Sequence, residues 1–148
     1  MNATHLHLLL NHVTVLGNAF GIALMAYALW RKNDTLKKDS LGVLVLAALT
    51  AIPVYLTGEP AAQTVKLLPE VSKEVIARHE EVAQLALATV LLMGTAALVG
   101  LIVFRRGRPI PVWFSLGILT FSLVSGTFIT WTANLGGQIR HPEIRAQR

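Results

Sequence analysis

The chain has no cysteine. That removes disulfides, thiolate zinc sites, iron–sulfur ligation and covalent c-type haem from consideration. Charge is scarce as well. Only 14% of residues are Asp, Glu, Lys or Arg, against about 25% in an ordinary soluble domain. Methionine is too rare to offer a haem an axial ligand from the core, with three in the whole chain. No serine or threonine stands in a nucleophile motif, and Ser122 and Ser125 fall inside an apolar run, so a hydrolase is disfavoured. Neither an internal repeat nor a low-complexity segment is visible.

What is present is hydrophobicity, at 53% of 148 residues, broken into long runs by clustered charges. Uncharged stretches of about 18 residues or more read as membrane spans. The net charge of +5 suits Lys and Arg that flank spans and set topology, and not nucleic-acid binding.

Four spans are expected, at 6–30, 40–57, 82–104 and 112–133. The first has neither a basic leader before it nor a small-residue cleavage site after it, so it reads as a retained span and not a signal peptide. Arg31 to Asp39 forms a charged turn. Pro53 should kink the second span, and Gly58-Glu59-Pro60 should end it. Residues 61–81 keep approximate helical spacing at Leu67, Val71, Val75 and Ile76. They predict an amphipathic helix on the membrane surface, divided at Pro69, whose second part runs into the third span. Glu74 and Arg78, four apart, are expected to pair. The many hydroxyls of the fourth span can bond to carbonyls a turn earlier, and Asn134-Leu135-Gly136-Gly137 reads as its stop. The fold class is therefore all-α, an integral membrane four-helix bundle in a single domain spanning 1–148.

Seven of the thirteen Lys and Arg lie in two short turns: Arg31, Lys32, Lys37, Lys38, Arg105, Arg106 and Arg108. Concentrated basic turns stay in the cytoplasm. Both termini and the 58–81 excursion then face outward. All five histidines fall on that outer side: His5, His7 and His12 begin the first span, His79 precedes the third and His141 follows the fourth. Glu59, Glu80, Glu81 and Asn134 join them. Measured at about 1.5 Å per residue, His79 sits a turn or two above His12.

Three readings follow from this cluster. One is a b-type haem held by His12 and His79, with Glu59 and His141 handling protons or supporting the ligands, in a membrane redox subunit served by quinol or a periplasmic electron carrier. A second is a non-haem transition metal bound by His12, Glu59, His79, Glu80 and His141. His79 and Glu80 are about 100° apart on a helix, which makes sharing one ion difficult. The Glu-x-x-His motif of di-iron bundles is missing, because Ile76 stands three before His79. The third is an accessory subunit of a larger membrane complex, its polar end serving as an interface. His5 and His7, on the N-terminal end, read as bystanders. No reaction is indicated by the residues themselves.

Four stretches carry a resemblance: Leu8-Leu9-Leu10-Asn11-His12, Tyr55-Leu56-Thr57-Gly58-Glu59-Pro60, His79-Glu80-Glu81-Val82-Ala83 and Asn134 to Glu143. In this order they resemble a bacterial family of small four-span membrane proteins of unknown function. That family is more loosely similar to b-type cytochromes that hold haem in a four-helix membrane bundle. The resemblance implies a bacterial inner membrane and at most one bis-histidine haem, since the inner side has no histidine.

Overall fold

The structure is a computed structural model that describes residues 3–67, 71–141 and 143. Four helices follow one another: α1 (Ala3–Trp30), α2 (Asp34–Val65), α3 (Lys73–Val103) and α4 (Val112–Arg140). Each is long and apolar enough to cross a membrane. Neighbours in sequence pack side by side, and α4 closes the ring against α1. The result is an up-down-up-down bundle in which α1 and α3 run in parallel on one diagonal. One end carries the basic turns, the other the histidines.

The exterior is apolar. Leu16, Phe20, Leu46, Leu56, Leu92 and Leu123 are all exposed, as expected of side chains that meet lipid instead of water. Trp30 and Trp113 lie at the basic end, Tyr55 and Trp131 nearer the histidine end, and all four are exposed. This is the distribution of aromatic residues at two membrane interfaces. The core mixes small and flexible residues, Ala48, Ala51, Ala86, Ala97, Met25 and Met93, with branched ones such as Leu41, Leu44 and Ile118. Small residues let membrane helices approach closely, because lipid offers no hydrophobic drive for association. One such close approach is between α2 and α3. A side chain at Gly94 would collide with Ala48. Ser115 and Ser122 turn to their own helix, donating to the Pro111 carbonyl at 3.2 Å and to that of Ile118 at 2.7 Å, while buried Ser40 of α2 donates across to the Gly21 carbonyl of α1 at 2.8 Å.

At the basic end the turns are short. Arg31, Lys32 and Asn33 alone separate α1 from α2, so the charged run Asp34–Asp39 forms the opening of α2 and not a turn. Lys32 takes a left-handed φ of 50° and Asn33 N–H bonds back to the Ala28 carbonyl at 3.0 Å. Asn33 then caps α2 by accepting from Leu36 N–H at 3.1 Å. Lys37 is buried and donates to Asp34 Oδ1 at 2.8 Å and to the Ile110 carbonyl at 3.0 Å, which ties α2 to the α3–α4 turn.

Three expectations are corrected at the other end. The amphipathic surface helix is not seen as a separate element. Of its span, 61–65 belongs to α2 and 73–81 to α3, Leu67 is exposed, and Pro69 lies outside the described residues. The apolar positions Ala61, Val65 and Ile76 are buried against the bundle, so packing extends the helices beyond the spans. Next, Gly58-Glu59-Pro60 does not end α2. The helix passes through both Pro53 and Pro60. Pro60 is exposed on the outer flank. This end projects beyond the apolar layer, because a 32-residue helix rises about 48 Å against a hydrocarbon core of about 30 Å. A carbonyl left without a helical donor there can be hydrated. Finally, Asn134 to Gly137 stays helical and α4 runs to Arg140.

Candidate cofactor site at the histidine end

His7 is the residue underrated by its position near the terminus. On α1 the buried positions are Thr14, Asn18, Gly21, Met25 and Ala28. A step of seven residues back from Thr14 returns to nearly the same face, so His7 points inward. On α3 the buried positions Ile76, Val82 and Ala86 place His79 on the inward stripe in the same way.

The two imidazoles are held alike. His7 Nδ1–H donates to the Val54 carbonyl on α2 at 2.9 Å, with Thr57 Oγ1 at 3.3 Å. His79 Nδ1–H donates to the Thr132 carbonyl on α4 at 3.0 Å. A carbonyl only accepts, so Nδ1 carries a proton in each ring, and in the neutral imidazole Nε2 is the nitrogen with the lone pair. A glycine follows each accepting residue by four, and both rings lie against it. A β-carbon at Gly58 would stand 3.6 Å from His7 Cε1, and one at Gly136 would stand 3.4 Å from His79 Cε1. The α1–α2 and α3–α4 hairpins thus present the same half-site: an imidazole from the first helix, a carbonyl and a glycine from the second. No sequence repeat announces this.

The two imidazoles come from α1 and α3, the helices on one diagonal of the bundle. Both rings are half-buried. Their heights agree too. Counted from the basic end, His7 rises about 35 Å and His79 about 37 Å, which removes the offset that separates His79 from His12.

The other predicted site residues do not converge on this pair. His12 is exposed, and its Nδ1 turns to the Leu8 carbonyl of its own helix at 2.7 Å. It lies about 200° around α1 from buried Thr14, on the outward face. Glu59 is exposed and accepts from Gln63 Nε2 at 3.1 Å. His141 is exposed and bonds to Glu143 at 2.9 Å. Glu80 is half-buried with Oε1 3.7 Å from Lys66 Nζ. His5 and Glu81 are exposed, and Asn134 is exposed and accepts from Gln138 at 2.7 Å. Glu74 does not pair with Arg78 as expected. It accepts from Ser72 Oγ at 2.8 Å, while Arg78 lies over the Trp131 ring at 5.7 Å. Among the described residues, no three His, Asp or Glu come together as a metal-ion site.

Compared with known proteins, the chain matches no family model, no curated protein and no solved structure. Functional inference therefore rests on the geometry.

Proposed function

We propose that the chain is a membrane-embedded redox subunit that binds one b-type haem at the histidine end of the bundle, with His7 and His79 as axial ligands. The observation that carries this reading is the matched pair of inward imidazoles, each fixed through Nδ1–H by a carbonyl and each with an Nε2 lone pair. Such outer bonds set the tautomer and raise the basicity of a ligating histidine. The number of donors favours haem over a bare ion. A porphyrin brings four nitrogens of its own and asks the protein for two, whereas a structural ion wants about four protein donors. The bound group would supply one-electron chemistry. The protein's part is to orient the two imidazoles and to place them on the side of the membrane opposite the basic turns.

An optical spectrum tests this reading. Protein made with sufficient haem should show a Soret band whose bis-histidine form is lost in His7→Ala and in His79→Ala and kept in His12→Ala. A spectrum without the band, or one untouched by both inward substitutions, overturns the assignment.

A further inference from the structure

The seam between α1 and α4 opens into a cleft of about 740 Å³ that the histidine pair does not line. Ile22, Leu123 and Gly126 help form its apolar depth, and Arg78 and Trp131 stand toward the histidine end. In the depth lies Asn18, 2% exposed. Its amide nitrogen donates to the Ser122 carbonyl at 3.3 Å. That bond fixes the orientation of the amide, because a carbonyl can only face the nitrogen side. The amide oxygen is left buried without a hydrogen-bond partner. A buried orphan acceptor at bilayer depth is costly, and it asks for a donor. Gly126 makes room for the other end of the amide. A β-carbon there would come within 2.9 Å of the Asn18 nitrogen.

From this cleft we infer a binding site for an isoprenoid hydroquinone, whose ring hydroxyl donates to Asn18 Oδ1 while its tail leaves sideways into lipid. The hydroxyl is the group the orphan acceptor requires. A mainly apolar cleft between two lipid-facing helices suits the ring and the tail. Asn18 lies eleven residues below His7 on α1, about 16 Å along the axis, on the way from the membrane interior to the histidine pair. The choice of a hydroquinone among lipophilic alcohols rests on the redox reading above; the presence of a donor-seeking site does not. One consequence is unusual. The oxidised quinone offers only acceptors and would set a carbonyl against Asn18 Oδ1, so the reduced form should bind more tightly.

The test uses haem-free full-length protein in nanodiscs, so that its outcome is independent of whether haem is taken up. Trp131 lines the cleft, and a Trp30→Phe/Trp113→Phe background makes it the sole indole reporter. A short-tailed ubiquinol should change its fluorescence saturably. The matching quinone and the O,O-dimethyl ether should bind about tenfold more weakly, the worth of one neutral hydrogen bond. Asn18→Leu should bring ubiquinol to the level of the ether. In case Asn18→Leu disturbs folding, the three ligands compared on protein with Asn18 intact decide the matter alone. Equal binding of all three, or no saturable change, overturns the proposal. A signal that instead follows the phosphatidylglycerol content of the discs, drawn by Arg78, also overturns it, making the cleft a lipid site.

Discussion

His7 and His12 are five positions apart, about 140° around the helix, and that angle separates an inward imidazole from an outward one. The sequence contains the discrimination. The stripe Thr14, Asn18, Gly21, Met25, Ala28 runs back through His7 and misses His12. What obscures it is composition. Apolar residues surround a membrane helix on every side, so hydrophobicity does not mark the core face, and the small and polar residues do. His79 stands out in sequence because an acidic pair follows it. Its partner carbonyl at Thr132 is out of reach of sequence reading, since any backbone could supply it. Ligand replacement tests the pair directly. In His7→Gly and His79→Gly the bis-histidine absorption should be lost and then restored by millimolar imidazole, which fills the space left by the ring. His12→Gly should need no rescue. Failure of imidazole to restore either inward variant would mean that the side chain supports the fold and does not ligate.

The helices were legible as spans because their apolar runs are about as long as the bilayer core is thick or longer, and their ends were not. Proline and glycine signals overstate helix termination where tertiary packing continues. Pro60 and Gly136-Gly137 sit inside α2 and α4, and a helical glycine costs only about 1 kcal/mol. Buried Val65 and Leu135 supply contacts that offset such costs. The same reliance on close packing identifies the point where one side chain would separate two elements. Gly94 backs onto Ala48 at the α2–α3 seam, leaving no room for a β-carbon. Gly94→Ala should destabilise the bundle by about 1–3 kcal/mol through overpacking, read as a lowered midpoint in detergent-induced unfolding followed by circular dichroism. Gly117, which has open space around it, provides the comparison. Gly117→Ala should leave the midpoint unchanged or raise it slightly.

At the scale of the molecule, orientation decides which partners can reach the histidine end. Lys and Arg are nearly balanced, with seven in the two basic turns or the first turns of α2 beside them and six elsewhere. Their distribution is not. The topological effect belongs to short loops near span ends, and the seven are packed into such regions, whereas Lys66, Lys73 and Arg78 stand among Glu59, Glu74, Glu80 and Glu81. The histidine end should therefore face outward. Because the chain has no cysteine, a single introduced thiol reports its side without background. Thr64 and Arg108 are both exposed, one at each end of the bundle. In bacterial spheroplasts, Thr64→Cys should react with a membrane-impermeant maleimide at once, and Arg108→Cys only after permeabilisation. The reverse pattern would place His7 and His79 in contact with the cytoplasm and replace a periplasmic electron carrier with a cytoplasmic one, while leaving their assignment as ligands untouched. Labelling of both positions in sealed spheroplasts would mean that the charge bias is too even to fix one orientation. In that case, changing Lys73 and Arg78 to Gln should restore a single one by removing basic charge from the outer side.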